Sequence, residues 1–398
     1  MRLALCTSVC LSAALCGTAV GDDAAPADEP APALTVQFAY MGDLMEVVDG
    51  GLDEGGAYLD DLDAQIGVDL DRVFGWSGAR AFVYGLYTNG NSINEKSGDL
   101  QGPSGIEVGV EGVRLVEAWI DQSFAEGAGS LRVGLYDVSG EFDAGEVRAL
   151  FLNSSHGSGP DFSQTGLNGP SMWPVTSFGA RLNWTFEGGP YARLAVVDGV
   201  PGDLDHPKRT TIDFDDGDGA LIVGEVGIAE EGRLWSLGAW VYTEEFADLV
   251  TAETHSNRGA YVALEERLME RADDGPWFDL SGSLRLGVAD SDVNPLSSFF
   301  GATLVATGLI PARADDQLGL GLALANAGDA FRTVIADAGG TPARREINIE
   351  LTYYADVTEW LSVQPDLQWI IDPGADRAVD DAFVAGLRFQ LKSDWAID

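Results

Sequence analysis

The sequence predicts an all-β fold, a transmembrane antiparallel β-barrel of about 16 strands with short periplasmic turns and long external loops. The main observation is a strict alternation of apolar and polar residues in short segments, each ending in a turn. In the clearest segment Phe178, Ala180, Leu182, Trp184 and Phe186 alternate with Ser177, Gly179, Arg181, Asn183 and Thr185. Successive side chains of a strand point to opposite faces, so this segment has one apolar and one polar face. Sixteen such segments, with no long helix between them, indicate a barrel with a polar lumen.

The predicted strands follow one another along the chain, and the connections between them alternate between short and long. The strands lie near 34–40, 58–71, 79–88, 113–124, 130–137, 176–186, 191–198, 220–228, 234–243, 257–269, 278–289, 298–308, 317–325, 345–354, 360–371 and 381–391. The connections at 126–129, 187–190 and 355–359 are tight, whereas their partners run to roughly ten to forty residues. Outer-membrane barrels have short periplasmic turns and longer external loops, and an even strand number places both termini in the periplasm.

Residues 1–21 are predicted to be a cleaved signal peptide. Arg2 precedes an apolar stretch from 3 to 15, and Ala19-Val20-Gly21 offers a cleavage site. Residues 22–33, rich in Asp, Ala and Pro, are expected to form a disordered periplasmic leader, and residues 34–398 the outer-membrane barrel. The three cysteines lie inside the signal peptide, so the mature chain is expected to have no thiol or disulfide chemistry: Cys6, Cys10 and Cys16.

The acidity of the chain narrows the choice of partners. The formal net charge is -41 at pH 7, and only Lys96, Lys208 and Lys392 are lysines. Such a charge argues against nucleic acid or anionic membrane surfaces as partners. Two interpretations of the acidity remain open, a solvated surface suited to a salty habitat and a lumen that concentrates cations.

The longest predicted loop, residues 138–175, follows the fifth strand and is rich in Gly, Pro, Ser and Asn. A stretch this long without regular structure tends to be functional, and a sixteen-stranded wall alone leaves a wide aqueous channel. We therefore expect the loop to fold into the pore and narrow it, with Asn153, Ser154, Ser155 and Trp173 as constriction candidates. An external cap that never enters the lumen is the alternative.

Several stretches carry a family resemblance through their order and spacing. They are Phe151-Leu152-Asn153-Ser154-Ser155, Pro170-Ser171-Met172-Trp173-Pro174, Gly179-Ala180-Arg181-Leu182, Gly238-Ala239-Trp240-Val241-Tyr242-Thr243 with Phe246, Asn257-Arg258-Gly259-Ala260-Tyr261 with Glu265, Pro311-Ala312-Arg313 with Asp316 and Gly319, Glu359 to Trp369, Pro373-Gly374 and Gly386-Leu387-Arg388-Phe389. Together they resemble the carbohydrate-selective porins of Gram-negative outer membranes, the OprB type. The resemblance implies passive passage of sugars. One departure is the tail at 393–398, since such barrels usually finish on an aromatic residue.

Candidate pore-lining residues lie on the polar faces of the predicted strands. A sugar presents hydroxyls that pair with charged groups and C–H faces that rest on aromatic rings. The candidates for contact with the pore or the substrate are Arg80, Tyr84, Glu117, Trp119, Arg181, Arg193, Trp240, Tyr242, Arg285 and Arg388. Each arginine could instead pair with a neighbouring acid of the wall, and the aromatic residues could belong to the girdles at the membrane interfaces.

Other functions receive less support from the sequence. The three histidines, His156, His206 and His255, fall in predicted external loops, and neither HExxH nor G-x-S-x-G occurs, so no enzyme is expected. No cofactor is expected, and the one weak metal candidate, an acidic loop that could bind calcium or simply be solvated, contains Asp213, Asp215, Asp216 and Asp218. The expected partners are small sugars and outer-membrane lipid, with a possible homo-oligomer and no nucleic acid. A general or cation-selective diffusion porin and a structural or adhesive barrel remain alternatives.

Overall fold

The described residues of the computed structural model form a closed barrel of sixteen antiparallel strands, and these residues are 32–215, 217–272 and 275–398. The strands are β1 (Leu34–Gly51), β2 (Gly55–Asp69), β3 (Ala79–Gly90), β4 (Gly112–Phe124), β5 (Gly129–Tyr136), β6 (Ser177–Thr185), β7 (Pro190–Asp198), β8 (Ala220–Glu230), β9 (Arg233–Ala247), β10 (Thr254–Met269), β11 (Asp279–Ala289), β12 (Leu296–Thr307), β13 (Gln317–Ala327), β14 (Arg345–Thr358), β15 (Leu361–Ile371) and β16 (Asp380–Ile397). Each strand pairs with the next one in the chain, and β16 closes the barrel against β1. The predicted fold class is confirmed.

Helices are short and lie in the connections. The α-helices are α1 (Leu70–Phe74), α2 (Asn94–Ser97), α3 (Pro160–Ser163) and α4 (Asp329–Asp337), and single 3-10 turns lie at Ala125–Gly127, Val138–Gly140, Arg148–Leu150, Ser154–His156 and Pro373–Ala375. Within the described part of the chain, no helix is long and apolar enough to span a membrane.

The polar faces of the strands point inward and the apolar faces point outward. On β6, Arg181 is 3% exposed whereas its neighbour Leu182 is 46% exposed, the reverse of what a water-soluble protein shows. The same alternation holds on β2, where Asp61 and Asp63 are buried and Leu62 is exposed. The outer wall is therefore suited to lipid and the inner wall to water and charge.

An aromatic girdle marks the periplasmic end of the barrel. Exposed tryptophans lie at the ends of strands or in the turns on the side of the chain termini: Trp76, Trp184, Trp235, Trp277, Trp360 and Trp395. Such rings lie at the boundary between the hydrocarbon and water. The girdle supports the orientation predicted from the sequence.

Four sequence predictions about the strands and their connections need correction. β1 continues to Gly51 instead of ending near 40. The tail at 393–398 belongs to the last strand and does not follow it, because β16 runs to Ile397, which pairs with Leu34 of β1. The external connections at 52–54, 248–253 and 290–295 are short, so long and short connections do not alternate throughout. His255 lies in β10 and not in a loop.

The predicted signal peptide, 1–21, and most of the predicted leader lie outside the described residues and stay predictions.

Candidate functional site: the constricted lumen

Residues 137–176, named loop L3, leave the wall after β5 and cross the lumen. The backbone N–H of Asp143 donates to the Glu225 carboxylate on β8 at 3.1 Å, and that of Leu152 donates to Glu350 on β14 at 2.6 Å. Both acceptors are buried on the lumen face. L3 therefore bends inward as predicted, and the alternative of an external cap is wrong.

Arginines of the wall hold the first part of L3 through Glu141. Its carboxylate lies 2.7 Å from Nε of Arg181 on β6 and 3.7 Å from a guanidinium nitrogen of Arg132 on β5, and the Tyr136 hydroxyl also donates to it. Burial alone would raise the pKa of Glu141, but the charges of Arg132, Arg181 and Arg193 outweigh burial and lower that pKa to about 2. One carboxylate of the loop thus interacts with three wall arginines at one point.

A second ion-pair cluster fixes the middle of L3. Arg285 of β11 lies 2.8 Å from the Asp143 carboxylate and also contacts the carboxylate of Asp161 in α3. Arg148 of the loop itself lies 3.2 Å from Asp143 and 3.6 Å from Glu265 on β10. Burial raises the pKa of Asp143, but the charges of Arg285 and Arg148 reverse the effect and lower it below its usual value. Breaking one member of such a buried cluster is costly because the remaining charge loses its partner.

Wall carboxylates also accept the backbone N–H groups of L3. Glu265 accepts those of residues 146, 147 and 148 at 2.8, 3.0 and 3.3 Å. Glu350 accepts those of Leu152 and Asn153 at 2.6 and 3.1 Å. A loop in the lumen has no neighbouring strand to satisfy its amides, so these carboxylates take that role. The sequence analysis missed Glu350, although residues 346, 348, 350 and 352 form a polar face with strand spacing that could have indicated it.

Two glycines of β13 make room for L3. A Cβ at Gly321 would lie 2.7 Å from Nε2 of His156 and 2.9 Å from the Phe151 ring, and one at Gly319 would lie 2.9 Å from the same ring. His156 is buried against Phe151 with ring centroids 4.7 Å apart. Burial, with a smaller contribution from Arg148, lowers the pKa of His156 to about 3, so this histidine is neutral at physiological pH.

A second loop, which was not predicted to enter the lumen, also narrows it. Residues 91–111, named loop L2, place the backbone N–H of Leu100 2.8 Å from the Glu346 carboxylate on β14. The Ser104 hydroxyl donates to Asp43 of β1 at 2.6 Å. L2 also meets L3, since the N–H of Gly105 donates to the Leu152 carbonyl at 2.7 Å. The constriction is therefore built from two loops in contact.

L3 covers several of the predicted pore-lining residues. Trp240 and Tyr242 point into the barrel as predicted, but Trp240 stacks on Phe162 of α3 with ring centroids 5.3 Å apart, and the Tyr242 hydroxyl lies 3.3 Å from the hydroxyl of Thr165. Both aromatic residues are buried. Arg181, Arg193 and Arg285 are buried as well. These residues hold the loop. Arg181 and Arg193 pair with the wall acids Asp121 and Glu225, as the alternative had it, whereas Arg285 pairs with Asp143 and Asp161 of L3.

A smaller set of lumen-facing side chains keeps exposed surface. Arg388 of β16 is paired with Asp43 at 2.7 and 2.8 Å, and its side chain is 16% exposed. Met41 and Trp173 are half-buried, and Arg80 is exposed at the periplasmic end of the lumen face of β3. Arg80, Trp173 and Arg388 were predicted, whereas Met41 was not. Among the other constriction candidates, Ser154 is exposed and Asn153 and Ser155 are buried.

Aromatic and acidic residues stand side by side behind this opening. The Trp173 indole N–H donates to the Tyr84 hydroxyl at 3.1 Å, and Tyr84 donates to Asp63 at 2.5 Å. On β4 the indole N–H of Trp119 donates to Glu117 at 3.1 Å. The guanidinium carbon of Arg132 lies 3.7 Å from the centroid of the Trp119 ring, a close cation–π contact. The predicted residues Tyr84, Glu117 and Trp119 are thus brought together next to Trp173.

Comparison with known proteins places this architecture in a family. Residues 53–392 match the family model described as the carbohydrate-selective porin, OprB family. The chain belongs to that family. It is a sugar-selective channel of the Gram-negative outer membrane, as its resemblance implied.

Relatives of the porin agree with this assignment along most of its length. It is 25% identical over 398 residues to Porin B of Pseudomonas aeruginosa, covering 89% of this chain and 86% of the relative. It is 22% identical to the putative porin QuiX of Acinetobacter baylyi, covering 81% and 80%. The structure of Pseudomonas putida OprB determined at high pH superposes with a TM-score of 0.82 at 22% identity, covering 91% of this chain and 94% of that one. The structural likeness supports the fold.

The one predicted metal site of the porin lies in an external loop. Among the described residues, no group of three or more His, Cys, Asp and Glu side chains is arranged to hold an ion. Asp213, Asp215 and Asp218 lie in the external loop between β7 and β8, and Asp216 lies outside the described residues. The weak calcium prediction for this loop stays untested.

Proposed function

We propose that sugars cross the porin through the part of the lumen bounded by Trp173 of L3 and the Arg388–Asp43 pair. The observation that carries the proposal is that Trp173 and Arg388 keep exposed surface at the constriction, whereas Trp240, Tyr242, Arg181, Arg193 and Arg285 are buried under L3. Met41 is diagonal to Arg388 across the β1–β16 pair, so both border the same opening.

The chemistry of this opening suits a hexose. The Arg388 guanidinium offers N–H donors to hydroxyls, and its orientation is fixed because Asp43 is held in turn by Ser104. The Trp173 indole is oriented by its bond to Tyr84 and offers a flat apolar face to the C–H side of a sugar ring. A permeant must leave as readily as it enters, so a few such contacts are preferable to a deep pocket.

Liposome swelling tests the proposal. Trp173→Ala and Arg388→Ala should each slow swelling in monosaccharides relative to amino acids of similar size, by a factor of about 3 to 10 if each removes a contact of about 1 kcal/mol. Arg345→Ala is the matched control, because Arg345 is exposed on the outer face of β14. Unchanged sugar preference in both lumen variants would contradict the route.

The second candidate is a general or cation-selective diffusion porin without sugar preference. The buried acids Asp61 and Asp63 on the lumen face and the net charge of -41 support it. Swelling rates that depend only on permeant size would favour this candidate.

We infer that the chain acts as a channel and not as an enzyme, because its buried acids, arginines and His156 are engaged in holding loops in place. The outward apolar faces imply lipid as the surrounding partner. A homo-oligomer remains a prediction, which the mass of the purified detergent-solubilised particle would test.

A further inference from the structure

We propose that the outer wall of the porin carries a binding site for a phosphorylated lipid of the outer leaflet, formed by Arg258 and an apolar groove next to it. The site faces the membrane and is separate from the lumen, so it does not depend on the route that sugars take. It also gives a role to an arginine that cannot contact a permeant.

Arg258 points away from the lumen. On β10 the side chain of Tyr261 is buried inside the barrel, where its hydroxyl donates to Glu225 at 2.7 Å. Alternation along the strand therefore places Arg258 and Ala260 on the outer face, and Arg258 is exposed there. Its cross-strand neighbour, Val241 of β9, is also exposed on this face.

Arg258 lies at the external limit of the apolar band. Next to Arg258, the outward-facing residues of both neighbouring strands change from apolar to polar. On β9 the change is from Val241 to Thr243, and at the end of β11 it is from Val288 to Asp290. β10 starts on the external side, so the border belongs to the outer leaflet. At this depth a long cationic side chain reaches the level of the lipid headgroups.

No described residue pairs with the Arg258 guanidinium. Within the part of the chain that the structure describes, it makes no ion pair and no hydrogen bond, whereas Arg233 on the same wall pairs with Glu266 at 2.8 Å. Asp290 lies next to Arg258, and its backbone N–H donates to the Arg258 carbonyl at 3.1 Å, but its carboxylate accepts the backbone N–H of Asp292 at 3.2 Å within a turn. The positive charge of Arg258 is therefore available to an anion, although the chain as a whole is strongly acidic.

The wall next to Arg258 has the shape of an acyl-chain groove. Gly224, Ala239 and Ala260 are direct cross-strand neighbours on β8, β9 and β10, so small residues form a continuous depression on the lipid face. Larger side chains border it, and the groove has a volume of about 620 Å³. A hydrocarbon chain in the groove would bring a phosphate at its head to the level of Arg258. Charge complementarity at the head and an apolar groove below it select a phosphorylated lipid over a second copy of this acidic chain.

Lipid titration of the delipidated porin in nonionic detergent, followed by native mass spectrometry, tests the site. The probes are lipid A with both phosphates and the same lipid after their removal. Arg258→Gln and the groove-filling Ala260→Phe should each weaken binding of phosphorylated lipid A about tenfold, and Arg258→Lys should weaken it less. Arg345→Gln, which removes an outward arginine away from the groove, should leave binding unchanged.

Three results would overturn the proposal. Equal binding by wild type and Arg258→Gln would show that the arginine has no role. Equal binding of both lipid forms to the wild type would show that the phosphate is not recognised. A wild-type dimer or larger particle that dissociates on Ala260→Phe substitution would show that a second copy covers the groove. If Ala260→Phe does not fold, Arg258→Gln and Arg258→Lys decide the outcome.

Discussion

The ionised carboxylate of Glu141 stabilises the docked position of L3 through its interactions with wall arginines. Its pKa of about 2 lies below its ordinary value of 4.5 because three arginine charges outweigh burial. A depressed pKa means that the ionised carboxylate stabilises the docked loop at every pH above 4.5. That contribution, about 3 kcal/mol, is lost as the pH falls from the ordinary value toward the depressed one.

Replacing Glu141 by Gln should destabilise the folded protein in a pH-dependent way. At pH 7 the variant should unfold with a free energy about 3 kcal/mol below that of the wild type, because Arg181 and Arg132 lose one buried acidic partner and keep Asp121. The difference should shrink as the pH falls below 4.5 toward about 2. Chemical denaturation of both proteins across this range measures it. A difference that stays constant with pH would show that the ionised carboxylate is not responsible.

The sequence predicted to which face of the wall a side chain points, but not whether that side chain is exposed to the lumen. Alternation along β9 placed Trp240 and Tyr242 on the lumen face correctly. Trp240 cannot contact a permeant because Phe162 stacks on it. Phe162 lies 78 residues earlier in the chain, in a loop whose sequence has no strand or helix periodicity. The sequence therefore could not separate residues that hold L3 from residues that line the opening, such as Arg388.

At the scale of elements, β13 and L3 depend on one another. Gly319 and Gly321 provide the space into which Phe151 and His156 fit. A side chain at Gly321 would clash with both, and L3 would have to move, because the backbone of β13 is held by pairing with β12 and β14.

Gly321→Val should therefore displace L3 and raise the single-channel conductance while the barrel still folds. Planar-bilayer recording measures the effect, and heat-modifiable mobility on gels reports the barrel. Gly224→Val is the control, since a Cβ there meets only Leu194 Cδ1 at 3.8 Å on the outer face. Equal conductance in wild type and Gly321→Val would show that L3 does not need this space.

The strands could be predicted because each has a period of two, and the loops could not because their folds depend on distant partners. L2 looks like an ordinary polar loop from 91 to 111, and it enters the lumen through Glu346 and Asp43, far away in the sequence. L3 was predicted to enter from its length and from the wide channel that a sixteen-stranded wall alone would leave. The end of β16 was missed because Ser393 interrupts the outward apolar face where pairing with β1 still continues.

For the whole molecule, the balance of charge in the lumen decides which ions pass. The wall arginines Arg181 and Arg285 are neutralised by Glu141, Asp143 and Asp161 of L3. The acids of β2, Asp61 and Asp63, make no ion pair with a described residue, and the formal net charge of the whole chain is -41. Conductance should therefore favour cations, and the reversal potential in a salt gradient measures this. Clear anion preference would show that Arg80 and Arg388 set the field instead.

We infer that inward-folded L3 makes a wide barrel selective for sugars. The decisive experiment is liposome swelling in monosaccharides and in amino acids of similar size, compared between the wild type and a chain lacking residues 152–172. No strand is touched by the deletion, so the barrel should assemble. The wild type should admit sugars preferentially, and the deleted chain should admit both solutes faster and without preference. A folded deletion variant that keeps the wild-type rates and the wild-type sugar preference would contradict the claim.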